Sequence, residues 1–89
     1  MDDNTVNVRV LFFAKSREIV GASEGSLRVK SRLTPDDLLR AIVGTFPLLS
    51  VIQETVVLAV NQEYISKGDA PLDLRPDDEV AVIPPISGG

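Results

Sequence analysis

A helix signal between Thr34 and Pro47, with apolar residues repeating at every second position on both sides of it, leaves few folds open to this 89-residue chain. Thr34 is placed to cap the helix N-terminus, with Pro35 at the first helical position, where a missing N–H costs nothing. Asp36 and Asp37 put negative charge in the first turn, and Leu33 and Leu38 bracket the cap as a hydrophobic staple. Leu38, Leu39, Ile42, Val43 and Phe46 then share one face of roughly three turns. Pro47 stops the helix near Phe46 because its ring cannot continue the ladder. Gly44 sits inside it at a cost of about 1 kcal/mol against Ala, and tight packing against a sheet is one reason for a glycine there.

On the N-terminal side, Val6, Val8, Val10 and Phe12 alternate with Asn7, Arg9, Leu11 and Phe13, the period of a strand whose first set faces the helix. Ala14 to Gly21 reads as a short turn or helical segment closed by Gly21, and Ser26 to Lys30 as a second strand returning beside the first. Leu48 to Glu54 shows neither period. Val56 to Val60 is a buried strand, Asn61-Gln62 a turn and Glu63 to Ser66 a brief strand. A Lys67-Gly68-Asp69 turn leads through a loop containing Leu72 and Leu74 to Pro76-Asp77-Asp78. Glu79 to Ile83 is the last strand, with Val80 and Val82 on one face and Ala81 and Ile83 on the other. One helix of this length covers one face of a four- to five-stranded sheet, so the expectation is a two-layer α+β domain over residues 1–83. Residues 84–89 form an extended C-terminal tail outside that core.

What such a domain can do is narrowed by what it lacks. The sequence contains no Cys and no His, which removes thiolate nucleophiles, disulfides, imidazole bases and nearly every transition-metal site, so no metal is expected. A net charge of −4 argues against the basic face that nucleic acid requires and favours basic partners. No apolar run approaches the roughly 20 residues of a membrane span, and Met1-Asp2-Asp3 lacks the basic start of a signal peptide. The expected location is the cytoplasm, without nucleic acid or membrane as partner. Chemistry is left to Asp, Glu, Lys, Arg, Ser, Thr, the single Tyr, the chain termini or a second protein.

The tail is the strongest candidate. Pro84-Pro85-Ile86-Ser87-Gly88-Gly89 reads either as a frayed terminus or as a working extension: two prolines stiffen the exit, and two glycines leave the end without side chains. Fully extended, such a tail spans nearly 20 Å at about 3.3 Å per residue, enough to carry the Gly89 carboxylate through a narrow channel of another protein. Lys15, Arg17 and Glu18 are better explained as a solvated turn with one exposed ion pair, Asp36-Asp37 as first-turn helix chemistry, and Asp77-Asp78-Glu79 as a turn entering a strand. Leu11, Phe13, Ala81 and Ile83 fall opposite the helix-facing residues, with Tyr64 on a sheet face, and make an apolar patch. Either a partner binds this patch or the loop residues Leu72 and Leu74 fold over it.

Val10-Leu11-Phe12-Phe13-Ala14-Lys15-Ser16-Arg17-Glu18, Ala59-Val60-Asn61-Gln62 and the run from Asp77 through Gly89 resemble, in order and spacing, the small subunit of molybdopterin synthase. The Pro84-Pro85 pair before Ser87-Gly88-Gly89 is the most specific element, and Ile83 departs from the aromatic residue common there. The resemblance implies a ubiquitin-like β-grasp domain that binds no cofactor permanently. It implies that an E1-like activating enzyme, consuming ATP, adenylates Gly89, and that a sulfur donor converts it to a thiocarboxylate. It further implies a large catalytic subunit that admits the tail, Pro84, Pro85, Ile86, Ser87 and Gly88, and meets Phe13, Leu11, Tyr64 and Ile83. There sulfur passes to cyclic pyranopterin monophosphate within a heterotetramer of two small and two large subunits. The small subunit donates sulfur while the large one supplies the catalytic side chains. A carrier for thiamine synthesis or tRNA thiolation, a ubiquitin-like protein modifier, and an interaction domain whose tail is idle remain the alternatives.

Overall fold

The computed structural model describes residues 4–66 and 68–84. Strand β1 (Thr5–Phe12) is followed by a short helix α1 (Lys15–Val20), β2 (Glu24–Lys30), β3 (Arg32–Leu33) and the main helix α2 (Pro35–Thr45). A 3-10 helix (Pro47–Ile52) leads to β4 (Val57–Val60), β5 (Glu63–Ile65), β6 (Leu72–Asp73) and β7 (Glu79–Ile83). Five strands make one mixed sheet in the order β2-β1-β7-β4-β5, with the first and last strands of the chain, β1 and β7, side by side and parallel. β3 and β6 form a separate two-stranded ladder. This is the β-grasp architecture, in which a curved sheet holds one main helix.

α2 begins where its cap dictates: the Thr34 side chain accepts a hydrogen bond from the Asp37 N–H at 3.1 Å. Leu33 and Leu38 are both buried in the core. Arg40 pairs with Asp36 at 3.1 Å on the exposed side, a contact of little energetic weight. The register stacks two rows of apolar residues beneath the helix. One runs Gly25, Val10, Val80, Val60 and the other Phe12, Val82, Leu58, Ile65 across the sheet. Leu38 and Ile42 close the core from the helix side, and each fully buried side chain of this size contributes about 1.5–3 kcal/mol.

Three packing details differ from the sequence reading. Gly44 does not pack against the sheet: a Cβ built there meets nothing within 4 Å, so the residue faces solvent. The close approach is at Gly25 instead, where a Cβ would stand 2.9 Å from the Phe46 ring, which itself meets Phe12 edge-on with centroids 4.9 Å apart. β2 starts at Glu24, two residues before the expected Ser26. Leu72 and Leu74 join the helix side of the core rather than covering the opposite face of the sheet. The segment with no clear period is the 3-10 helix. Its three-residue repeat turns Leu49 and Ile52 inward and leaves Leu48 and Val51 exposed.

β4 and β5 are joined by Asn61 and Gln62, both at positive φ (49° and 72°), the pattern of a two-residue turn that favours Asn-Gly. Gln62 carries a Cβ into that region, so Gln62→Gly is expected to stabilise the domain by about 0.5–1 kcal/mol. Thermal unfolding should then shift upward by about 2–8 °C for a domain of this size. An unchanged or lower midpoint would show that the turn holds Gln62 without strain.

Candidate functional site

The face of the sheet away from α2 is set by the same alternation that builds the core. Leu11, Ala81, Ala59 and Tyr64 form one row across β1, β7, β4 and β5, and Phe13, Ile83 and Val57 cluster at the adjoining end. Ala59 and Ala81 are small enough to be buried between taller neighbours, although no helix or strand among the described residues is packed over them. They floor a shallow depression of about 340 Å³ walled by Phe13, Tyr64 and Ile83, with Gln62 and Glu79 on its rim. Phe13 is 46% exposed and Tyr64 73%, while Leu11 and Ile83 are half-buried. The structure thus brings Phe13, Leu11, Tyr64 and Ile83 onto one surface, and no described residue folds over it. Toward β2 the face becomes charged through Arg9, Glu24, Arg28 and Lys30, with Arg9 and Glu24 3.8 Å apart.

Parallel pairing of β1 and β7 carries a geometric consequence. Both strands run toward the same end of the sheet, so Phe13 and the departure point of the tail are neighbours, and the Phe13 N–H reaches the Val82 carbonyl at 3.3 Å. Pro84 is buried at this exit. Pro85, Ile86, Ser87, Gly88 and Gly89 lie outside the described residues, as does Lys67 of the expected 67–69 turn. Lys15 and Glu18 form the exposed pair expected of a solvated turn, 3.9 Å apart.

Three contributors were not singled out in the sequence. Ala59 lies inside a continuous apolar run in which alternation assigns no face, although its partner Ala81 alternates onto this one; Gln62 carries only the signature of a turn residue. Ser16 is the third. It is fully buried, and its hydroxyl accepts from the Phe13 N–H at 3.0 Å and stands 2.7 and 3.1 Å from the Phe13 and Val82 carbonyls. A serine in a short turn carries no sequence signal of such a role.

Among the described residues no helix is long and apolar enough to cross a membrane. The chain matches the model of the ThiS family over residues 10–89. It is 42% identical over 84 residues to a protein of Chlamydomonas reinhardtii named molybdopterin synthase sulfur carrier subunit, covering 94% of this chain and 100% of that one. Among solved structures it resembles SAMP1 from Haloferax volcanii with a TM-score of 0.75 and 27% identity, covering 93% of this chain and 99% of that chain. It also shares the fold of a chain in the complex of subunits 1 and 2 of the molybdopterin-converting factor from Helicobacter pylori, with a TM-score of 0.64, 22% identity, and coverage of 94% and 100%.

Proposed function

The chain belongs to the ThiS family, and from that premise we propose that it is the sulfur-carrier subunit of a molybdopterin synthase. Its working group is the Gly89 carboxylate. An E1-like enzyme joins this carboxylate to the AMP moiety of ATP, releasing pyrophosphate. A sulfur donor then displaces AMP, leaving a thiocarboxylate. The large subunit receives the tail, and its side chains direct the sulfur to cyclic pyranopterin monophosphate. A chain without Cys or His has no side chain suited to hold reactive sulfur, which is why the acyl end carries it. No cofactor resides on the carrier, and ATP is consumed by the activating enzyme.

The observation that carries this reading is the placement, beside the root of the tail, of an apolar face that no described residue covers. A partner seated over Phe13, Leu11, Tyr64 and Ile83 necessarily stands where Pro84 begins the exit. Docking and delivery are then coupled, because the same contact that holds the domain aims Pro85 to Gly89 at the partner's pocket. Apolar and aromatic side chains on an open sheet face, rimmed by polar groups, are typical interface anchors.

Intact mass tests the chemistry. After incubation with ATP, the activating enzyme and a sulfur donor, the chain should gain about 16 Da as one oxygen is replaced by sulfur. No gain would overturn the carrier reading. A second reading, as a protein modifier, is supported by the likeness to SAMP1, which related structures describe as a small archaeal modifier protein. It predicts instead a target protein heavier by the whole chain, joined to a lysine through Gly89.

A further inference from the structure

We propose that Ser16 is a positioning residue for sulfur delivery, fixing the junction between Phe13 and β7 so that the tail leaves the domain in one direction. The inference rests on the carrier reading and deepens it. Ser16 is 0% exposed, the only polar residue buried to that degree among the described residues. A buried hydroxyl is unfavourable unless its bonds are made, and here all of them converge on one junction. It accepts from the Phe13 N–H at 3.0 Å and shares its proton between the Phe13 and Val82 carbonyls at 2.7 and 3.1 Å. Val82 is followed only by Ile83 before the tail departs at Pro84.

A second feature marks the same place. Ala14, between Phe13 and the start of α1, has φ 52° and ψ −127°, a region that suits glycine and strains a residue with a Cβ. The turn that imposes it is closed by Ser16, whose N–H donates to the Phe13 carbonyl at 3.1 Å. Strained backbone persists where its surroundings over-determine it, and here Ser16 supplies both the backbone and the side-chain bonds that do so. The demand for such rigidity follows from the length of the lever. On a tail that can extend nearly 20 Å, a swing of about 10° at the base displaces the far end by roughly 3 Å. Misplacement of reacting groups by about 1 Å can already cost on the order of a hundredfold in rate.

Ser16→Ala removes the bridge without orphaning its partners, since the Phe13 carbonyl keeps the Ser16 N–H and the Val82 carbonyl keeps the Phe13 N–H. The test uses the full chain, loaded as thiocarboxylate and bound to saturating large subunit, with single-turnover sulfur transfer as the readout. The expected loss for Ser16→Ala is about ten- to a hundredfold. Amide exchange at Phe13 should accelerate while that of Val8 and Val80 in the core stays put. Val29→Ala, a remote core change on β2, is the control for stability. At equal or greater loss of melting temperature it should transfer sulfur at the wild-type rate. Wild-type transfer by Ser16→Ala, or equal losses in the two variants, would overturn the inference. A wild-type chain that takes up and transfers no sulfur would instead sink the carrier reading, so the two failures are told apart.

Discussion

Removal of Gly89 is expected to abolish sulfur transfer, by about a thousandfold or more, and to leave the midpoint of unfolding in urea unchanged. The truncated chain still ends in a carboxylate, that of Gly88, so the loss comes from position and not from the absence of an acyl group. That carboxylate is withdrawn by one residue, about 3.3–3.6 Å, which on the proposed mechanism would take it out of contact with both the nucleotide of the activating enzyme and the pterin substrate. Terminal residues contribute few contacts to a fold unless they are tied down, so stability should change by no more than a few tenths of a kcal/mol. Gly88→Val should block transfer for another reason. The end of the chain keeps its length, but a β-branched side chain adds width and narrows the backbone conformations available inside a channel. Molybdopterin formation at full rate by the chain lacking Gly89, assayed with purified large subunit and activating system, would remove the basis for the whole mechanism.

Where the fold was legible in the sequence, the signals were local. Thr34, Pro35 and Pro47 act through the backbone of their own turns, and the alternation along Val6 to Phe13 and Glu79 to Ile83 needs no knowledge of the partner strand. Because the period of a strand is two, placing Val80 and Val82 in the core also placed Ala81 and Ile83 on the open face, and the patch followed. Features that depend on distant segments were not legible. The β3–β6 ladder pairs Arg32 with Asp73 across 41 positions and Leu33 with Leu72 across 39, is tied by Arg32 and Asp73 at 2.8 Å, and is too short for any alternation to show. Gly25 and Gly44 look alike in sequence, yet the one under pressure is Gly25, because only the three-dimensional packing brings the Phe46 ring over β2. Ser16 was unreadable for the same reason: its bond to Val82 spans 66 positions.

Adjacent phenylalanines at the end of β1 separate folding from assembly. Phe12 is 2% exposed, lies in the row with Val82, Leu58 and Ile65, and meets Phe46 edge-on. Phe12→Ala should cost about 3–5 kcal/mol through lost burial and the cavity left behind. A small domain has only about 5–15 kcal/mol to lose, so the melting temperature should fall by a large part of its margin, at about 4–8 °C per kcal/mol. Phe13 points to the other side, half-exposed over the depression floored by Ala59 and Ala81. Phe13→Asp should cost about 1 kcal/mol or less in stability, since nearly half of the side chain is in water already. On the proposed interface with the large subunit it would bury a charge in place of an aromatic anchor, and a hot-spot loss of about 2 kcal/mol would raise Kd roughly thirtyfold. The two variants should therefore exchange places between a denaturation curve and a binding titration: Phe12→Ala melts early, and Phe13→Asp melts normally but docks poorly. Unaltered affinity for Phe13→Asp would mean that the large subunit meets another surface. The coupling of docking to delivery would then fall, because a partner seated elsewhere would no longer stand at the root of the tail.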